Sequence, residues 1–121
     1  MTKIFKNGAF QGDFAIRRIE KLPADVVPVE PENGKYVIAH SETGHHHLIT
    51  TQRVKAFRPK KPDIYTLFLQ IDEPLAGETL PEIEHLRSFD THESIRPESG
   101  GIFEIKRQRE HTPEGWRRAA D

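Results

Sequence analysis

The sequence predicts a mainly β protein, built as a small antiparallel barrel or roll of six or seven short strands with a short C-terminal helix. Nine prolines and eight glycines divide the 121 residues into short segments, which leaves few windows long enough for an uninterrupted helix. Several of these segments are rich in branched and aromatic residues, as strands are. With 35% hydrophobic residues, a chain of this length predicts one domain covering residues 1–121.

Six segments carry a strand pattern, and turn signals separate them. Asn33-Gly34 and Ser99-Gly100-Gly101 are the clearest of these signals. The segment from Ile64 to Ile71 is the most apolar run, and we expect it to be the central buried strand. In chain order the predicted strands are Phe14–Ile19, Tyr36–His40, His46–Thr50 with a continuation through Val54 and Phe57, Ile64–Ile71, Ile83–Phe89 and Ile102–Glu110.

Two further segments complete the predicted fold. The proline-rich stretch from Pro23 to Pro31 is expected to be an extended edge or connector, because proline cannot donate to a central ladder. Thr112 followed by Pro113 is typical of a helix start, so a terminal helix is predicted over 113–120, with Trp116 docking it onto the sheet.

Charge and cysteine usage exclude several classes of function. Lys plus Arg number 18 against 19 Asp plus Glu, so the whole chain has no electrostatic attraction to nucleic acid or membrane. The absence of cysteine excludes disulfides, thiolate metal sites and cysteine nucleophiles, so any metal must be held by histidine and carboxylates. The first twenty residues carry no signal-peptide core or membrane span, which predicts a cytoplasmic protein.

Histidine is the unusual residue, since four of the seven lie between positions 40 and 47. Residues 35–50 are predicted to form a hairpin whose turn lies within Ser41–Gly44. A two-residue loop would place His40 opposite His47 and Ile38 opposite Ile49. A four-residue loop shifts the partners but keeps His40, His45 and His47 on one face, whereas an odd loop length groups His40 with His46 instead.

Three imidazoles on one face of a hairpin can bind one divalent ion, with metal–nitrogen distances of about 2.0–2.1 Å. We therefore predict a site for Zn, Ni, Fe or Mn. A fourth ligand could come from Glu42, His85, His92, Glu93 or water, and catalysis would additionally need an open coordination position. The alternative is that these histidines are ordinary polar residues at a hairpin tip. The candidate metal residues are His40, His45, His47, His92 and Glu93.

A second hypothesis is a metal-independent ribonuclease, in which histidines act as general acid and base and arginines stabilise charge on phosphate. A basic stretch around Phe57 could likewise follow a nucleic-acid backbone and stack a base. The alternative is that these basic residues are solvated or paired with nearby carboxylates. The candidate phosphate or nucleic-acid contacts are Arg53, Lys55, Arg107 and Arg109.

A third hypothesis is a non-enzymatic phage or bacterial accessory protein that binds a protein partner or assembles with itself. Exposed apolar residues around Phe5, Phe10 and Trp116 would favour it.

Short motifs distributed along the chain resemble those of a group of small uncharacterised bacterial and phage-encoded proteins. The resemblance covers most of the chain and implies no particular activity. It implies that the histidine hairpin, the His92-Glu93 pair and the arginine-rich last strand belong to one site. The motifs are Gln11-Gly12-Asp13, Thr43-Gly44-His45 with the histidines after it, His92-Glu93, Gln108-Arg109-Glu110 and Thr112-Pro113-Glu114.

Overall fold

The computed structural model describes residues 2–11, 14–39, 46–61, 66–86 and 91–107. These ranges contain eleven strands, and no helix is found within them. The strands are β1 Thr2–Phe5, β2 Gly8–Gln11, β3 Phe14–Ile19, β4 Val26–Pro28, β5 Lys35–Ala39, β6 His46–Thr50, β7 Val54–Pro59, β8 Thr66–Ile71, β9 Ile83–Leu86, β10 Thr91–Pro97 and β11 Gly101–Arg107.

The strands form two sheets. Sheet A has the order β1-β10-β9-β6-β5, and sheet B has the order β2-β3-β11-β8-β7-β4. β1 runs parallel to β10, and the other pairings are antiparallel. The predicted mainly β class is confirmed, but the described strands form two sheets and not a closed barrel.

The strand count differs from the predicted six or seven for two reasons. The predicted continuation from His46 through Phe57 is interrupted at residues 51–53, where Arg53 adopts a φ of 62° and the chain passes from sheet A to sheet B. β1, β2 and β10 were not predicted as strands, because they are short or polar and lack a clear apolar alternation. β4 lies in the proline-rich stretch that was expected to be an extended edge or connector, and it is an edge strand of sheet B.

The predicted turn at Asn33-Gly34 and the predicted central strand agree with the structure. Asn33 and Gly34 have φ values of 52° and 78°, the left-handed conformation of a two-residue hairpin turn. β8 lies inside sheet B between β11 and β7, as expected of the central strand. The predicted helix over 113–120 and Trp116 lie outside the described residues. In the described part of the chain, no helix has the length and apolar character needed to cross a membrane.

One hydrophobic core joins the two sheets. Ile83 and Ile95 of sheet A are fully buried, as are Leu69 and Phe103 of sheet B. The rings of Phe5 and Phe103 meet edge to face, with centroids 5.8 Å apart and an angle of 80° between the ring planes. Because Phe5 belongs to β1 and Phe103 to β11, this contact ties sheet A to sheet B.

Arg18 of β3 fixes the loops at one end of the fold. Its guanidinium donates to the carbonyl oxygens of Lys6 at 3.0 Å, Gly100 at 2.7 Å and Ser99 at 3.2 Å. It also lies 4.7 Å from the centroid of the Phe103 ring. One side chain therefore holds the β1–β2 turn against the β10–β11 turn, and both turns carry the chain between the sheets.

Candidate functional site

His47 is the one histidine whose side chain the described part of the structure defines. It is 2% exposed on β6, next to the buried Ile49 two residues along the same strand. Its Nδ1 lies 2.9 Å from Oε1 of Gln11, and Gln11 Nε2 donates to the carbonyl oxygen of Ile83 at 2.9 Å. Gln11 lies in sheet B, whereas His47 and Ile83 lie in sheet A, so a buried polar link connects the two sheets.

This link determines which nitrogen of the His47 ring carries hydrogen. Because the Gln11 amide nitrogen donates to Ile83, the amide oxygen is the atom that faces His47. An amide oxygen can only accept, so His47 Nδ1 donates. In the neutral ring the lone pair is then on Nε2, the arrangement found when a histidine binds metal through Nε2 and is oriented by a second hydrogen bond.

The strand register aligns three histidine positions across sheet A. His47 of β6 is directly opposite His85 of β9, and His85 is directly opposite His92 of β10. The backbone positions of these three residues therefore form one row perpendicular to the strands. We call the positions His47, His85 and His92 the histidine row.

A register irregularity lies next to each end of the histidine row. On one side, Val37 faces Leu48 and Ala39 faces His47, so the ladder has an extra residue at Ile38. On the other side, the register shifts between His92 and Ile95. β-Bulges are over-represented beside functional sites, where they change the direction of nearby side chains.

The hairpin register changes along its length. Tyr36 lies opposite Ile49, which is the pairing of the four-residue loop, so the two-residue pairing of Ile38 with Ile49 is wrong. After the extra residue, Ala39 lies opposite His47, which is the pairing expected of an odd loop length. The alternation of the sequence could not predict this one-residue irregularity.

The other predicted metal residues are defined less fully. His40 and His45 lie outside the described residues, while His92 and Glu93 are placed as backbone positions of β10. Among the side chains that the structure describes, no group of three or more His, Cys, Asp or Glu is close enough to hold a metal. Of the histidine row, the sequence identified His47 and His92 as candidates and His85 as an alternative fourth ligand.

Of the predicted phosphate contacts, Arg53 and Arg107 lie far apart. Arg53 lies in the β6–β7 turn with its Nε 2.9 Å from Glu78 Oε1, and Lys55 is exposed on β7. Arg107 ends β11 at the opposite end of sheet B, because Val54 and Gly101 are both opposite Ile71. At about 3.3 Å per residue, Arg53 and Arg107 are roughly 20 Å apart along the strand direction. Arg109 lies outside the described residues.

Sequence reasoning missed the role of Gln11, which it treated only as part of the Gln11-Gly12-Asp13 motif. Nothing local marks this residue, since its partners His47 and Ile83 are 36 and 72 residues away in the chain. The juxtaposition of His85 with His47 is likewise set by the pairing of β6 with β9, which local alternation cannot predict.

The fold and the buried histidine define the chain as a mainly β, two-sheet protein with a polar link through its core. The chain belongs to the family described as Domain of unknown function (DUF8820), whose model matches residues 10–108. That range contains Gln11 and the whole histidine row. No curated protein and no solved structure matches the chain.

Proposed function

We propose that this protein binds a divalent transition metal through the histidine row. The observation that carries the proposal is the register, in which His85 is directly opposite both His47 and His92. Residues directly opposite one another have Cβ atoms about 4.5–5.5 Å apart. Imidazoles at three such positions can supply nitrogens to one ion at about 2.0–2.1 Å.

The surroundings of His47 support the same proposal. The hydrogen bond between Nδ1 and Gln11 fixes the orientation of the ring. Because the His47 ring is already oriented before a metal binds, less conformational entropy is lost on binding. Gln11 thus has the role of a residue that orients a metal ligand from the opposite sheet.

The proposed donor set limits the metal to ions that accept imidazole. Zn²⁺, Ni²⁺ and Fe²⁺ suit nitrogen ligands best, and Mn²⁺ remains a weaker alternative. Glu93, beside the β10 irregularity, is the proposed further ligand, and His40 and His45 of the hairpin remain candidates. Because His47 is buried, the function we infer is metal binding that stabilises the fold, with metal-assisted catalysis as its extension.

Elemental analysis and thermal unfolding test the proposal on protein purified without a nickel resin or a histidine tag. We expect one equivalent of metal per chain and, once a chelator has removed it, a rise in unfolding temperature on addition of Zn²⁺ or Ni²⁺, corresponding to about 2.7 kcal/mol at a hundredfold excess over Kd. The rise is expected to be lost in His85→Gln and in His92→Gln and retained in the matched control His111→Gln. Absence of metal together with no thermal response in the wild type would refute the proposal.

A second candidate function, binding of a protein partner, is supported by Phe10. Of the three apolar residues that would favour it, Phe5 is buried at 4% exposure, Trp116 lies outside the described residues, and Phe10 is 38% exposed on β2. β2 is an edge strand of sheet B. Phe10 lines a largely apolar groove of about 390 Å³ together with Ala15. Light scattering of the wild type and Phe10→Ser tests it: an assembly that is lost in the variant is the expected result, and a monomer in both contradicts self-assembly.

The ribonuclease hypothesis has the least support. His47 is almost completely buried, so it is a poor candidate to meet a phosphodiester. Cleavage of RNA by metal-free wild type and its loss in His92→Gln would restore this hypothesis.

A further inference from the structure

A groove of about 460 Å³ lies away from the histidine row, between the loop of residues 72–82 and the strands of sheet A. Thr50 at the end of β6 and Arg96 of β10 form part of one wall, and the loop forms the other. The volume is within the usual range of about 300–1,000 Å³ for small-molecule sites. Its charged lining consists of Arg53, Arg96, Asp72, Glu78 and Glu82.

Glu78 holds the loop to the β6–β7 turn. Its Oε1 accepts hydrogen bonds from the backbone N–H of Leu75 at 2.8 Å and from Arg53 Nε at 2.9 Å, and its Oε2 accepts from Gln52 Nε2 at 3.3 Å. The Leu75 N–H, and then the Arg53 guanidinium, lower the pKa of Glu78 against an opposing effect of desolvation. Arg53 and Glu78 therefore satisfy each other across the groove wall.

The two ends of the loop are attached by other carboxylates. Glu73 accepts a hydrogen bond from the backbone N–H of Gly100, and Glu82 accepts one from the hydroxyl of Thr2. Glu73, Glu78 and Glu82 thus tether the loop at three points. A wall fixed in this way is organised before any ligand arrives, which lowers the entropy cost of binding.

Arg96 differs from the other charged residues of the groove. It is half-buried, and its guanidinium makes no hydrogen bond or ion pair with any residue in the described ranges. The carboxylate of Asp72 likewise makes none within those ranges, and it is exposed. One guanidinium and one carboxylate in the groove are therefore available to a ligand. A guanidinium matches a carboxylate with two parallel hydrogen bonds.

The balance of charge selects the class of ligand. Two arginines and three carboxylates line the groove. With Arg53 and Glu78 paired to each other, a simple anion at Arg96 would be repelled by Asp72 and Glu82, and a simple cation at Asp72 would leave Arg96 without a partner. A small molecule that carries both charges avoids both penalties. Leu80, Pro74 and Pro81 add apolar surface to the same lining.

We propose that this groove binds a zwitterionic small molecule of the α-amino-acid class. Arg96 pairs with the carboxylate of the ligand, Asp72 attracts its ammonium group, and the apolar lining contacts its side chain. The site is independent of the metal site proposed above, since the two share no residue.

Titration of the full-length protein by ¹⁵N–¹H NMR tests this proposal, with leucine, isovalerate and isoamylamine as matched probes. We expect leucine to cause saturable shifts in amides of residues 72–82 and to bind at least about tenfold more tightly than either singly charged probe, a difference of about 1.4 kcal/mol. Arg96→Gln is expected to weaken leucine binding by at least about tenfold. The control Arg58→Gln, at an exposed position of β7, is expected to leave it unchanged.

Asp72→Asn provides a second test at an exposed position, where the substitution is expected to leave the fold intact. It is expected to weaken the binding of leucine more than the binding of isovalerate. Failure of leucine to bind the wild type saturably would overturn the proposal. So would equal binding of leucine and isovalerate, or wild-type affinity in a correctly folded Arg96→Gln variant.

Discussion

Replacing Gln11 with methionine removes the polar link between the sheets while nearly preserving side-chain volume. The change eliminates the acceptor 2.9 Å from His47 Nδ1 and the donor 2.9 Å from the Ile83 carbonyl oxygen. Gln11 and His47 are both buried. Each buried polar group that loses its partner costs about 1–3 kcal/mol, so we expect the free energy of unfolding to fall by about 2–4 kcal/mol.

Urea unfolding followed by circular dichroism measures this loss, and with a slope of about 2 kcal/mol/M the midpoint should fall by about 1–2 M. Gln70→Met, at a half-buried position of β8, is the matched control and is expected to change stability by less than about 0.5 kcal/mol. The same Gln11→Met variant should bind Zn²⁺ about 10–100-fold more weakly, since the His47 ring loses its orienting partner. A Gln11→Met protein as stable as the control would refute the role assigned to this link.

Three further predictions test the remaining contacts. Arg18→Met should lower the free energy of unfolding by about 2–4 kcal/mol in the same urea assay, because it loses charge-assisted hydrogen bonds to three backbone carbonyls. The control Arg17→Met, at a side chain that is 70% exposed, should lower it by less than about 1 kcal/mol. Equal losses in the two variants would contradict this prediction. Gly101→Ala should lower the unfolding temperature more than Gly34→Ala. Both glycines have a positive φ, but only at Gly101 would the new Cβ overlap a nitrogen of the Arg18 guanidinium. A larger fall in unfolding temperature for Gly34→Ala would contradict this prediction. Glu78→Gln should be less stable than the wild type at neutral pH, and the difference in stability should shrink as the pH falls through the lowered pKa of Glu78. The reason is that a carboxylate with a depressed pKa in the folded state stabilises the fold only while it is ionised. A difference that stays constant down to about pH 3 would contradict this prediction.

The parts of the fold that local pattern controls were predictable. β3 and β8 carry branched and aromatic residues between turn signals, and both were identified as strands. The corner between β6 and β7 was not, because nothing near Arg53 is glycine or proline. The conformation of Arg53 is supported by Glu78, which is 25 residues away in the chain. β10 was missed because its sequence is polar and its register shifts after His92.

The candidate site likewise combines features that the local sequence pattern predicts with features that depend on contacts distant in the chain. The period of a strand places His47 on the face of Ile49, and both are buried. The residues next to His47 in the sheet depend on which strands pair. The pairing of β6 with β9 places His85 opposite His47, although the two residues are far apart in the sequence. Gln11 reaches His47 from the other sheet, so only the packing of the two sheets reveals it.

Metal binding by the histidine row can be followed directly by NMR of the histidine ring nitrogens during addition of Zn²⁺. Before metal is added, His47 should carry its hydrogen on Nδ1, as the bond to Gln11 requires. At one equivalent of Zn²⁺, we expect the ring nitrogens of His47, His85 and His92 to shift together, with His47 bound through Nε2 and still protonated at Nδ1. Unchanged rings at these three residues, or shifts confined to other histidines such as His111, would contradict it.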